Sequence, residues 1–91
     1  MLNARLREVY MELEALQANC LILLQRHRIW VTITDIIPLL DVNIRQYRED
    51  WLIGTLYTLL EALQREGRVE SRVDLDRLSE GYLQWRAVYG R

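Results

Sequence analysis

Lysine is absent from this chain, and all 12 basic residues are arginine. Every cationic contact therefore falls to a guanidinium, the better group for bidentate contacts to phosphate and guanine, although the coding bias of a GC-rich genome explains the composition more simply. Cysteine is nearly absent too. Cys20 stands alone, which excludes an intrachain disulfide and fits a reducing compartment. His27 is the single histidine, so no His/Cys cluster has zinc-ligand spacing, and there is no glycine-rich phosphate loop. No apolar run approaches the roughly 20 residues that span a bilayer. Glu8, Glu12 and Glu14 occupy the positions where a secretory signal needs its apolar stretch. These absences lead to the expectation of a soluble, cytoplasmic protein that is not an enzyme, holds no cofactor or metal and has no membrane partner.

What is present suits one small domain spanning residues 1–91. The chain is 51% hydrophobic and 27% charged, which argues against disorder, and its formal net charge is -1. A domain of this length buries only about two-thirds of its unfolded surface, so self-association would help it.

The first segment is the most periodic. Leu2, Leu6, Val9, Leu13, Leu16, Cys20 and Leu23 follow alternating spacings of four and three, a heptad seam. Neither proline nor glycine occurs before Pro38, so a helix from about Leu2 to Arg28 costs little in propensity. After Cys20 the apolar face widens to include Leu21, Ile22 and Leu24. The first half thus reads as a dimer seam and the second as part of a globular core. The seam residues assigned to dimerisation are Leu2, Leu6, Val9, Leu13, Leu16 and Cys20, with parallel or antiparallel pairing left open.

Ile29-Trp30-Val31-Thr32-Ile33 is β-branched and aromatic and reads as a short extended piece. Thr34 is then expected to cap a helix over about Asp35 to Leu40, with Pro38 in its first turns. A turn of uncertain length runs from Asp41 to Asp50. From Trp51 the residues Leu52, Leu56, Leu59, Leu60 and Leu63 share one helical face, and Gly67 supplies a left-handed cap. Gly54, inside this helix, weakens it by about 1 kcal/mol relative to alanine, which suggests a packing or contact reason. Beyond Gly67 the period changes to alternation: Val69, Ser71 and Val73, then Leu83, Trp85, Ala87 and Tyr89. That predicts a β-hairpin whose apolar face is Val69, Val73, Leu83 and Trp85.

The fold class expected is mainly α with a small β-hairpin: a winged helix-turn-helix preceded by a long N-terminal helix. Its parts are the helix over about 1–28, the helix-turn-helix over about 29–66 and the wing over about 67–91. The stretch Gly54-Thr55-Leu56-Tyr57-Thr58-Leu59-Leu60-Glu61-Ala62-Leu63-Gln64-Arg65-Glu66-Gly67-Arg68-Val69-Glu70-Ser71-Arg72 resembles the PadR family of bacterial transcription regulators. In that family a Gly-Thr-Leu-Tyr run lies on the recognition helix and a Val-Glu-Ser-like strand opens the wing. Tyr82-Leu83-Gln84-Trp85-Arg86 is similar to the returning wing strand. The resemblance implies a dimeric winged helix whose third helix enters the DNA major groove. Leu52 and Ile53 precede the Gly-Thr run where the family has polar residues or proline. The family dimerises through a C-terminal helix, a role expected here of the N-terminal one.

Read this way, double-stranded DNA meets Trp51, Thr55 and Thr58 near the start of the third helix, with Arg45 and Arg48 on its approach. Arg72, Arg77 and Arg86 on the wing would grip phosphates and set register. Glu49, Asp50, Glu61 and Glu66 interleave with these arginines. Trp51 is either a partner-protein hot spot or a core residue; Trp30 and Trp85 read as core, and Tyr57 as a core-boundary residue with its hydroxyl outside. The function expected is a sequence-specific, homodimeric transcriptional regulator. The alternatives are a winged-helix protein-interaction module, or a phage or plasmid control or segregation protein that binds DNA. A continuous positive strip would favour DNA, and arginines broken up by acids would favour a protein partner.

Overall fold

A computed structural model describes residues 2–40, 47–73 and 83–89, and the side chains among them from residue 11 on. The elements are helix α1 (Leu2–His27), helix α2 (Ile33–Ile36) continued by a 3-10 turn (Ile37–Leu39), helix α3 (Glu49–Arg65), and strands β1 (Val69–Val73) and β2 (Leu83–Ala87). The chain is therefore mainly helical, with a long N-terminal helix and a two-stranded antiparallel hairpin.

Twenty-six residues make α1 about 39 Å long, against a longest molecular dimension of 47 Å. Its later turns lie in the core: Leu16, Cys20, Leu21 and Leu24 are buried against Leu56, Leu60 and Leu63 of α3 and Val69, Trp85 and Ala87 of the hairpin. This corrects the dimer-seam assignment of Leu16 and Cys20. They are 2% and 0% exposed within a single chain and cannot also face a partner. The change from seam to core comes one heptad earlier than the widening of the apolar face predicts. Leu13 is half-buried, and the side chains of Leu2, Leu6 and Val9 lie outside the described residues.

Helix α1 ends on Arg28, a non-glycine residue with φ +49°. The Arg28 amide bonds the Leu24 carbonyl at 3.2 Å, closing a left-handed cap. Tyr89 reinforces that end from the other terminus. Its hydroxyl donates to the carbonyls of Leu24, at 3.1 Å, and Gln25, in the last turn of the helix, where carbonyls lack a full set of intrahelical donors.

The extended reading of residues 29–33 reduces to one bridge. Val31 and Trp85 exchange both backbone hydrogen bonds, at 3.0 and 2.7 Å, so Val31 lies beside β2. The cap of α2 differs from expectation. Thr32, not Thr34, occupies it: its hydroxyl accepts from the Asp35 amide at 3.1 Å while the Asp35 carboxylate accepts from the Thr32 amide. This capping box places Asp35 three residues after the cap, a spacing that Thr34 lacks. Pro38 sits in the 3-10 turn, near its start, where its missing N–H costs little.

Helix α3 begins two residues before Trp51, with Glu49 and Asp50 in the first turn, where negative charge suits the helix dipole. Leu52, Leu56, Leu60 and Leu63 are buried and Leu59 is half-buried. Gly67 at φ +76° ends it as expected, its amide bonding Gln64 while the Arg68 amide bonds Leu63, each at 2.9 Å.

The hairpin pairs Val69 with Ala87, Ser71 with Trp85 and Val73 with Leu83. Val69, Trp85 and Ala87 are buried and Leu83 is half-buried, but Val73 is 48% exposed and does not complete the apolar face predicted for it. Val73 lies at the end of β1, beyond the reach of the core. Trp30 is also misplaced by the sequence reading: it is only half-buried and lies on the outer side of the sheet.

Two outcomes follow. Thr32→Ala should lower stability by about 1 kcal/mol, with Thr32→Ser retaining most of it, measured by urea denaturation. Burial pushes the Cys20 thiol from 9.0 up to about 12. The unfolded thiol ionises above pH 9 and the folded one does not, so native stability should be fully present below pH 9 and fall as pH rises from there towards 12. Cys20→Ala should flatten that fall, and the native thiol should resist alkylation at pH 8 until the chain is unfolded.

Candidate nucleic-acid interface

The outward face of α3 is the surface on which the sequence reading converges. Trp51 is 44% exposed, Ile53 40% and Tyr57 40%; Thr58 is exposed and Thr55 half-buried. None of these residues lies in the core, so α3 leaves the predicted contact side chains on the open side of the fold. Tyr57 matches its boundary role, its ring edge-on to buried Trp85 at 6.0 Å. A hydrogen bond with Glu61 raises its phenol above the usual range, aided by the charge of that carboxylate.

Gly54 sits at the centre of this face. Its backbone is ordinary helix, and a Cβ built on it would meet nothing within 4 Å. Neither conformational need nor packing within the chain accounts for a residue that weakens the helix. One turn on, the Thr58 hydroxyl donates to the Gly54 carbonyl at 3.1 Å. That fixes its hydroxyl proton and leaves its oxygen able to accept a further bond.

The approach to α3 is aromatic and acidic as well as basic. Tyr47 packs against Trp51 with ring centroids 4.9 Å apart and donates to the Glu12 carboxylate at 2.7 Å, tying the start of α3 to α1. That bond to Glu12 raises the Tyr47 phenol. Arg48 pairs with Asp50 at 3.1 Å, both side chains largely in solvent. Arg45 and Arg77 lie outside the described residues.

The wing arginines form a second group, on the outer side of the sheet. Arg86 donates twice to one carboxylate oxygen of Glu70, at 2.9 and 2.5 Å, and stacks on Trp30 at 4.5 Å from the ring centroid. Arg72 donates to the Gln84 side chain at 2.7 Å and lies 4.4 Å from the same centroid. Arg28 stacks on Tyr89 at 4.9 Å, beside an open pocket of about 430 Å³ between Arg28, Glu70 and Arg86. The sequence reading did not foresee Trp30 as the platform for these guanidiniums. The alternation of Glu70, Arg72, Gln84 and Arg86 gives the shared face but not the aromatic ring beneath it.

Charge pairs thus break the basic surface: Arg48 with Asp50, Arg86 with Glu70 and, more loosely at 4.0 Å, Arg68 with Glu66. Among the described residues no helix is long and apolar enough to cross a membrane, and no group of three or more His, Cys, Asp or Glu could hold a metal ion. No protein-family model, curated protein or solved structure matches the chain.

The open surroundings of Gly54 give a direct test. Gly54→Ala should raise stability by about 1 kcal/mol, because it removes the propensity cost and meets no clash. Thermal denaturation of the two proteins measures it. A destabilised Gly54→Ala would mean that the glycine serves the fold.

Proposed function

We propose that the chain is a winged-helix domain that binds double-stranded DNA through α3 and acts as a homodimeric transcriptional regulator. The observation that carries this reading is Gly54, a mid-helix glycine on an open face, with Trp51, Thr55 and Thr58 around it. A position that needs no Cβ for its own fold, yet tolerates the cost of lacking one, suits the close approach of a phosphate backbone or base edge. The element order supports the reading. A helix, a strand residue bridged to the hairpin, a short helix, a longer helix and a hairpin is the winged helix-turn-helix sequence of parts. The likeness of Gly54–Arg72 to the PadR recognition helix and wing points the same way, and the reading takes the chain to be cytoplasmic and without catalytic activity. Dimerisation would use the first turns of α1 through Leu2, Leu6, Val9 and Leu13.

In this mechanism Thr55 and Thr58 meet base edges, Thr58 through its methyl group or its accepting oxygen. Arg48 exchanges Asp50 for a phosphate. Two α3 helices of a dimer address half-sites about 34–36 Å apart. The promoter regulator and the phage or plasmid control protein share this chemistry and differ only in the site they occupy.

The acid-paired arginines favour a second reading, a module that docks another protein through Tyr47, Trp51 and Ile53. Selection from a random duplex pool separates the two. On the DNA reading a preferred sequence emerges, Gly54→Ala weakens binding at least several-fold while stabilising the fold, and Arg48→Gln lowers the slope of log affinity against log salt by about 1. Absence of any salt-sensitive duplex binding would refute DNA and leave the protein-docking reading.

A further inference from the structure

β1 is the edge strand of the sheet: β2 lies between it and Val31. The phase of the ladder fixes what that edge presents. Trp85 uses both its N–H and its C=O on Val31. Ser71, directly opposite Trp85 in the hairpin, therefore faces it across a non-hydrogen-bonded pair, and its own N–H and C=O point away from β2. The Val88 amide bonding the Arg68 carbonyl at 3.0 Å confirms the alternation. The backbone groups of Val69, Ser71 and Val73 thus face outwards, and no backbone group among the described residues pairs with them. An open edge ending in an exposed valine is a template for another strand.

We propose that this edge docks a second copy of the chain, the two β1 strands pairing antiparallel about a two-fold axis through Ser71. The strand Val69-Glu70-Ser71-Arg72-Val73 is its own complement in that register. Val69 meets the partner's Val73, Glu70 meets the partner's Arg72, and Ser71 meets the partner's Ser71. The outward-facing residues oppose one another, so all can form ladder bonds, and the unlike charges fall on the closely spaced non-hydrogen-bonded positions. Sliding by two residues puts Glu70 on the partner's Glu70 or Arg72 on the partner's Arg72. Sliding by one sets outward groups against inward ones. The charges therefore specify one register.

The side chains are free to make these contacts without surrendering the ones they have. Arg86 uses one oxygen of Glu70 for both of its bonds. Arg72 uses its Nε on Gln84, keeping the terminal nitrogens of its guanidinium for a carboxylate. The pairing would join two hairpins into one continuous sheet, with an isologous interface. This inference does not rest on DNA binding, and its surface is separate from the first turns of α1.

Sedimentation velocity over a concentration series tests it. Ser71→Pro removes an N–H that the hairpin itself does not use, so the variant should keep its fold by circular dichroism and weaken association at least tenfold. Arg72→Glu should also weaken it, and the swap Glu70→Arg with Arg72→Glu should restore it. Ser71→Cys should cross-link as a symmetric disulfide dimer on mild oxidation, Cys20 being fully buried. That arm stands even where Ser71→Pro fails to fold. Leu6→Asp, aimed at the α1 seam, should leave the cross-link intact. A monomeric wild type, a Ser71→Pro protein that folds and associates as tightly as wild type, no cross-link at residue 71, or its loss in Leu6→Asp would each overturn the proposal.

Discussion

The exchange of backbone hydrogen bonds between Val31 and Trp85 holds the fold in its arrangement. It joins the segment after α1 to β2, setting Val31 and Trp85 side by side against the core. It also sets the phase of the hairpin. With Trp85 committed to Val31, its indole goes inward under Tyr57 and its neighbours go outward, Arg86 onto Trp30 and Gln84 to Arg72. A one-residue slip would reverse every one of these assignments, exposing the indole and burying an amide and a guanidinium. The inner core, the arginine-bearing outer face and the open edge of β1 all descend from that single register.

A second constraint acts along α1. Its later turns carry four buried residues, and without them α3 and the hairpin would have no common floor. Tyr89 and Arg28 fasten the far end of the helix, and Tyr47 and Glu12 fasten a point near its middle. Burial closes Leu16 and Cys20 to association, whereas the side chains of Leu2, Leu6 and Val9 lie outside the described residues. The heptad repeat runs on through both halves of the helix, and burial in the core marks only the later one.

Periodicity in the sequence revealed most of this architecture and little of its surface chemistry. The helical spacing of Leu52 to Leu63, the glycine stop at Gly67 and the alternation after it each follow from local chemistry, and each holds. The errors arise where a tertiary contact decides. Thr32 and Thr34 are equally good caps by type; the reciprocal bond with Asp35 selects Thr32. Trp30 reads as core because tryptophan is large and apolar, but Val31, not Trp30, faces inward beside β2, and Trp30 is left to stack beneath Arg72 and Arg86. Leu16 and Cys20 sit in an unbroken heptad, and nothing in a one-dimensional repeat tells which stretch has a neighbour. On the candidate site, the outer-face reading of Trp51 and Thr58 agrees with their exposure, whereas Thr55, read onto the same face, is half-buried. The pairing of Arg48 and Arg86 with acids depends on geometry that spacing alone cannot supply.

Those pairings bear unequally on how the chain could meet a polyanion. Arg48 and Asp50 are both largely in solvent, and an exposed pair of this kind contributes little, so exchange of Asp50 for a phosphate costs little. Arg86 is held by two bonds to Glu70 and by the Trp30 ring, and withdrawing it would break three contacts at once. Arg72 sits between these extremes, with a neutral partner in Gln84. On the proposed DNA reading, the weight of contact would therefore fall on α3 and its approach rather than on the described part of the wing. This division also explains how a chain of net charge -1 can remain compatible with DNA. Under that proposal, attraction need not come from a basic domain as a whole, because Arg48, the cation that would lie nearest the groove, is the one most easily released from its own acid.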